Sequence, residues 1–161
     1  MEIRAATVAD RDPIWDLHAT SFPTHAEADL VNRLNGDGDV IYSVVAEFDG
    51  MIVGHVLYSK MQSPEGFLGL APVAVHSEHR RQGIADALVR KGLELAKEDG
   101  WLSVFVLGDN YYERFGFEAK STEAFTSPYA GPHFMALSLQ PDGLKDRSGQ
   151  AEYPRAFAEL G

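Results

Sequence analysis

The sequence predicts an α/β (α+β) fold, one central, mixed, mostly antiparallel β-sheet with helices on both faces. Three observations carry that prediction. Two runs rich in β-branched and aromatic residues, "VIYSVVAEF" and "MIVGHVLYSK", flank Asp49-Gly50, the strongest short-range hairpin signal. The run "FLGLAPVAVH" is apolar almost throughout, as a strand buried on both faces must be. Between it and a second apolar run, "LSVFVL", lies an amphipathic helix, and that crossover makes the two strands parallel neighbours near the centre of the sheet.

In chain order, "MEIRAA" reads as a short strand and "TVADRDPIWDLHATSF" as a helix that Thr7 can cap, with Ile14, Leu17 and His18 at helical spacing. Pro23 ends it. "HAEADLVNRLNGDGD" is a second, shorter helix with Ala26, Leu30 and Leu34 on one face, stopped by its glycines. The hairpin follows, then the loop "MQSPEG" and the long apolar strand. From Ile84 to about Glu98 one helix face carries Ile84, Leu88, Leu95 and Ala96, the other Asp86, Arg90, Glu94 and Lys97, and Gly100 stops the helix. After "LSVFVL", "GDNYYERFGFE" reads as a turn and short helix running into a strand, and "HFMALSL" as a late strand. The turn-rich tail offers Tyr153 and Phe157 for packing.

With 161 residues, 45% of them hydrophobic, the chain can bury a core as a single domain over residues 1–161. No apolar stretch approaches the roughly 20 residues of a membrane-spanning helix, and the N-terminus lacks the order of a signal peptide. The expectation is a soluble, cytoplasmic protein. Without cysteine there is no disulfide, thiol nucleophile or thiolate metal site, and nothing in the sequence supports a metal site of His and carboxylates. A net charge of -10 opposes nucleic-acid binding and suits either a cationic partner or simple solubility. Against it, His76, His79, Arg80 and Arg81 form a compact basic spot.

That spot opens a strand-to-helix turn with the spacing Arg80-x-x-Gly83-x-Ala85. The first N–H groups of a helix have no intrahelical partners and sit at the positive end of its dipole, so they can hold a phosphate. Gly83 allows close approach, Ala85 keeps the first turn clear, and Arg80 and Arg81 add charge at the rim. The same spacing also suits a turn of purely geometric purpose, and it matches neither the Walker loop nor G-x-G-x-x-G. Pro72 interrupts the strand before it, which predicts a bulge or a splay from a neighbour. A ligand whose amides mimic a β-strand, such as pantetheine joined to a pyrophosphate, could pair with the backbone of Val73, Ala74 and Val75 and place its phosphates at Gly83.

These residues resemble the GNAT superfamily of CoA-dependent N-acyltransferases. "LAPVAVHSEHRRQGIADALV" looks like its acetyl-CoA motif, [QR]-x-x-G-x-[GA] after an apolar strand, with Arg80, Gly83 and Ala85 at the three defined positions. "YYERFGFE" is similar to its next motif, matched by Tyr112, Arg114, Gly116 and Phe117, and "VLGD" with "YPRAF" resembles a bacterial branch of predicted acetyltransferases. The resemblance implies a sheet splayed between its two parallel central strands, with acetyl-CoA as co-substrate held by Val73, Ala74, Val75, Arg80, Arg81, Gln82, Gly83, Ile84, Ala85 and Asn110. It implies an N-acetyltransferase that moves acetyl to a primary amine of a small molecule or peptide by direct attack in a ternary complex. Neither nucleic acid nor membrane is an expected partner, and homodimerisation stays open.

The chemistry needs a proton acceptor and a proton donor. An amine of pKa about 10.4 must lose about 4.6 kcal/mol worth of protonation preference to attack at pH 7. The departing thiolate, of pKa about 8.5, needs a donor, and the match to the family tyrosine makes Tyr112 the general acid, with Tyr111 its neighbour in sequence. Peptide N–H groups of Val73 to Val75 would polarise the thioester carbonyl. The central strands lack the carboxylate that many relatives place there, so the base is open between Glu27, His55, and water relayed to one of these or to Asp109. A non-catalytic acyl-CoA sensor that keeps the cradle is the alternative.

Overall fold

The structure is a computed structural model that describes residues 1–159. Its elements are β1 (Glu2–Ala5), α1 (Arg11–Ser21), α2 (Ala26–Asp37), β2 (Val40–Phe48), β3 (Met51–Lys60), β4 (Phe67–Val75), α3 (Ile84–Glu98), β5 (Ser103–Leu107), β6 (Phe125–Thr126), β7 (Phe134–Ser138) and β8 (Gly149–Gln150), joined by loops and short 3-10 turns. The main sheet has six strands in the order β1-β2-β3-β4-β5-β7. β1–β2, β2–β3 and β5–β7 pair antiparallel and β4–β5 pairs parallel, so the mixed, mostly antiparallel sheet is as the sequence predicts. β6 and β8 form a separate parallel pair.

The chain falls into two compact units. One comprises Met1–Ser59, Ala71–Gly92 and the stretch from Arg155; the other comprises Lys60–Leu70 and Leu93–Pro154. In the first, Asp49 (φ 51°) and Gly50 (φ 78°) are both left-handed, as the two-residue turn between β2 and β3 requires. Side chains alternate along β3, and the alternation decides which helix each residue meets. A Cβ at Gly54 would stand 2.9 Å from Ile84 and Leu88 of α3, and Tyr58 donates its hydroxyl to the Val89 carbonyl at 2.7 Å. His55, one residue on from Gly54, instead bonds His18 of α1. α1 and α3 therefore cover opposite faces of this strand.

Gly92 is the tightest point of the α3 packing. A Cβ there would overlap the Tyr58 ring. Ala normally gains about 1 kcal/mol over Gly inside a helix, but here the ring must move and forfeit its buried bond to Val89, a loss of about 1–3 kcal/mol on top of overpacking of similar size. Gly92→Ala should lower unfolding free energy by about 2–3 kcal/mol in urea titration. Unchanged stability would mean that Tyr58 has room to shift.

The start of α1 is fastened electrostatically. The Arg4 guanidinium donates to both Asp10 carboxylate oxygens, at 2.7 and 3.0 Å, and to Glu47 at 2.6 Å. Asp10 also accepts the Thr7 N–H at 2.8 Å, so Thr7 begins a 3-10 turn (Val8–Asp10) that leads into α1. Arg4 first, aided by Thr7, holds the Asp10 carboxyl well below the usual carboxylate range. Along α1 the predicted trio Ile14, Leu17 and His18 is buried. In α2, Leu30 and Leu34 are buried as expected, together with Ala28 and Val31, whereas Ala26 is half-buried.

The second unit is organised by aromatic packing. Phe67, Phe105, Phe125 and Phe134 form its core with Met61, Ala136 and Ala151, and Tyr153 packs against it. The Phe105 and Phe134 rings stack at 5.1 Å. Tyr153 is placed by Gly69, where a Cβ would lie 2.7 Å from its ring. One expectation needs correction. The segment after Phe117 does not form a strand: Glu118 makes a single bridge to Ala136, after which Ala119–Thr122 turns as a 3-10 helix. Thr122 holds that turn by donating its hydroxyl to the Ala119 carbonyl at 2.7 Å.

Candidate active site

The registered pairs between β4 and β5 run from Phe67↔Ser103 to Leu70↔Val106 and stop there, two residues before Pro72. Pro72 has no N–H to continue a ladder, which is the break that the sequence predicts at this residue. Beyond it β4 continues through Val73, Ala74 and Val75, of which Ala74 is buried and the two valines are half-buried. The strand end is closed by the His76 N–H, which donates to the Val53 carbonyl at 2.8 Å, while Nδ1 of His76 accepts the Glu78 N–H at 3.1 Å.

The turn into α3 is then made by two left-handed residues, Arg81 (φ 64°) and Gly83 (φ 79°). A left-handed arginine is uncommon, and glycine adopts the conformation without penalty. The first helical bond runs from the Ala87 N–H to the Gly83 carbonyl at 3.1 Å, so the amides of Ile84 and Ala85 precede the helical ladder at its positive end. Among the described residues, no atom beyond its chain neighbours stands within 4 Å of the place a Cβ on Gly83 would occupy. This is a helix terminus opening onto free space, with exposed Arg80, Arg81 and Gln82 at its rim. Arg80 has a second task, donating Nε to the Val75 carbonyl at 3.2 Å, which folds the loop back on the strand it follows.

The second motif is ordered in the other unit. Asp109 accepts the Tyr111 N–H at 3.0 Å and so caps the 3-10 turn Asn110–Phe115, which ends at left-handed Gly116 (φ 103°). The neighbouring tyrosines have different surroundings. The Tyr111 ring is covered by the Arg114 guanidinium, 4.1 Å from its centroid. The Tyr112 ring lies against Gly108, where a Cβ would come within 2.5 Å of it, and meets Phe117 edge-on at 6.1 Å. Burial, and then the charge of Asp109, push the Tyr112 hydroxyl above its ordinary pKa, so it stays protonated at neutral pH. Asn110 is exposed.

Of the proposed bases, His55 lies wholly buried in β3 with both ring nitrogens engaged. Nδ1 meets Nε2 of His18 at 2.8 Å and Nε2 meets Ser43 Oγ at 2.8 Å. Each of its ring nitrogens thus faces a side chain of the fold. Burial holds both rings neutral: His18 is drawn from 6.5 down to about 4, and His55, beside it, well below 6.5. Among the described residues, Nδ1 of His18 is buried without a partner, and so is Oε1 of Glu27, at the first turn of α2. Sequence reasoning passed over His18 and Ser43. The signal available for His18 was a histidine on the apolar face of an amphipathic helix, which needs a buried partner as much as His55 does.

Residues 11–117 match the Acetyltransferase (GNAT) family, a span that includes Arg80, Gly83, Ala85 and the whole of "YYERFGF". The chain is 35% identical to the N-acetyltransferase YhbS of Escherichia coli K12 over 98% of both proteins. It belongs to the GNAT acetyltransferase family. As a member it is an acyltransferase, and its fold agrees with solved GNAT structures. The crystal structure of Escherichia coli YhbS in complex with CoA superposes with a TM-score of 0.93 over 99% of this chain and 93% of that one. A GNAT acetyltransferase from Brucella melitensis in complex with acetyl-CoA, 28% identical, gives 0.82 over 97% of each. This GNAT chain also has a cavity of about 560 Å³ beside the start of α1, lined by three carboxylates, of which Asp10 and Glu47 are engaged by Arg4 and Asp16 is the third. Among the described residues no helix is long and apolar enough to cross a membrane.

Proposed function

We propose that this protein is an acetyl-CoA-dependent N-acetyltransferase acting on a primary amine of a small molecule or peptide, by direct attack in a ternary complex. The observation that carries the reading is the path of β4. Its ladder to β5 ends at Leu70, and the strand then runs past Pro72 into a glycine turn with open space above the first amides of α3. That path offers, in order, strand-like backbone groups for an amide-bearing arm and a helix terminus for phosphates. The relatives crystallised with CoA and with acetyl-CoA support the same ligand here.

Acetyl-CoA supplies an activated thioester when bound. Peptide N–H groups of Val73 to Val75 then polarise its carbonyl, and Gly83, Ile84 and Ala85 fix the phosphates through backbone N–H groups, with Arg80, Arg81 and Gln82 at the rim. Tyr112 donates a hydrogen bond to the departing sulfur. Glu27, whose buried Oε1 has no hydrogen-bond partner among the described residues, is the carboxylate we assign to receive the ammonium group.

Free CoA release measured over a panel of small amines and peptides tests this reading. Release above background with at least one amine supports it. Binding of acetyl-CoA without release by any amine would instead make the protein an acyl-CoA sensor. Gly83→Glu should weaken acetyl-CoA binding by about a hundredfold or more, combining a left-handed penalty with like-charge repulsion at the phosphates. Calorimetry showing unchanged affinity would move the phosphate site elsewhere.

A further inference from the structure

We infer that Ser43, His55 and His18 form a proton relay that drains the acceptor amine, with Nδ1 of His18 as its entry and Ser43 as its exit. The inference rests on the N-acetyltransferase reading and adds residues to it. Its basis is one continuous line of hydrogen-bonding atoms. Ser43 Oγ of β2 stands 2.8 Å from His55 Nε2 of β3, and His55 Nδ1 stands 2.8 Å from His18 Nε2 of α1. The line begins at a half-buried serine and ends at a buried nitrogen that has no partner among the described residues.

The protons on this line can be arranged in only two ways. In the first, His18 Nε2–H donates to His55 and His55 Nε2–H donates to Ser43, leaving a bare lone pair on Nδ1 of His18. In the second every bond is reversed, and Nδ1 of His18 carries a buried N–H with no acceptor. An orphaned buried donor is rarer in proteins than an under-used acceptor, so the free protein holds the first arrangement. Its unpaired atom is therefore a base. α1, in whose last turn His18 lies, packs on α2, whose first turn carries Glu27, with a buried Oε1 that also has no hydrogen-bond partner among the described residues.

The transfer balances without a standing imidazolium, which burial of both rings opposes. As the ammonium N–H bond breaks, Nδ1 of His18 gains that proton and its Nε2 proton passes to Nδ1 of His55. The Nε2 proton of His55 passes to Ser43 Oγ, and the Ser43 hydroxyl proton passes to water. One proton enters and one leaves, both rings stay neutral, and the nitrogen of the amine is left with the lone pair that attacks the thioester. After product release the same hops run backward, with water supplying a proton at Ser43 and taking one at His18.

Two measurements on the full-length protein test the relay. Nitrogen-15 spectra of labelled histidine at about pH 7.5 should show both rings neutral and protonated on Nε2, the tautomer a relay entry requires. A proton on Nδ1 of His18 would overturn the inference outright. In the CoA-release assay, His18→Gln should lower kcat by about a hundredfold, in the range of a lost general base. Ser43→Ala, which removes only a hydroxyl, should lower kcat and turn a curved proton inventory into a linear one, while acetyl-CoA affinity holds. Wild-type turnover and a wild-type inventory in Ser43→Ala would overturn the relay and leave the enzymatic reading intact. A wild-type protein that acetylates no amine fails at the earlier step and takes the relay with it.

Discussion

Tyr112→Phe is expected to reduce kcat by about a hundredfold or more while leaving the affinity for acetyl-CoA nearly unchanged. The size follows from the leaving group. A thiolate of pKa about 8.5 departs with a full charge unless a donor meets it. The Tyr112 hydroxyl, raised above 10.0 by burial and by Asp109, is protonated whenever the enzyme works. Complete proton transfer to sulfur would be uphill by at least about 2 kcal/mol, from the gap between 10 and 8.5. The hydroxyl therefore stabilises developing charge as the bond to sulfur breaks. Such an interaction exists only in the transition state, which is why kcat falls and binding does not. Tyr111→Phe is the matched control, because the Tyr111 ring is already covered by Arg114. Equal turnover in wild type and Tyr112→Phe would reduce that ring to packing against Gly108 and Phe117.

The second large effect is loss of stability in mild acid. His18 is neutral in the fold down to about 4 but protonates near 6.5 when unfolded. Between these values the unfolded chain binds the extra proton, so stability rises with pH and is lost as pH falls below about 6.5. At 1.36 kcal/mol per pH unit the full loss from His18 is about 3 kcal/mol, of which about 2 kcal/mol appears between pH 7 and pH 5. His55, depressed by its own burial and by His18, adds in the same direction. Asp10 acts lower, below its ordinary 3.8, when protonation breaks its bonds to Arg4. Asp39, pushed up by burial and by Asp37, opposes the trend near that pH. Urea unfolding at pH 7, 6 and 5 measures the slope, and a double His18→Gln, His55→Gln variant should flatten it. A flat wild-type profile would mean that the buried pair accepts a proton in place.

The sequence was informative where one local rule governs one element. Asp49-Gly50 set the β2–β3 turn, Pro72 marked the end of the β4–β5 ladder, and the apolar face from Ile84 to Ala96 gave the bounds of α3. It was silent where the outcome depends on which distant residues meet. Nothing in the spacing of Ser43, His55 and His18 shows that β2, β3 and α1 bring them into one line of hydrogen bonds. Arg80 was read as rim charge, but its reach back to Val75 depends on the loop geometry after His76. The strand expected after Phe117 is only a bridge at Glu118, because Glu118, Ala119 and Lys120 are poor β-formers and the chain turns there, with Thr122 bonded back to Ala119. The GNAT motifs gave the family, and the match over residues 11–117 agrees with them.

The claim on which the rest stands is that acetyl-CoA lies along Val73 to Val75 and ends at Gly83. Backbone amide spectra of the labelled protein titrated with acetyl-CoA test it residue by residue. Saturable shifts are expected at Val73, Ala74, Val75, Gly83, Ile84 and Ala85, with the same shifts at the phosphate end for CoA lacking the acetyl group. Saturable binding that leaves those amides unmoved would contradict it.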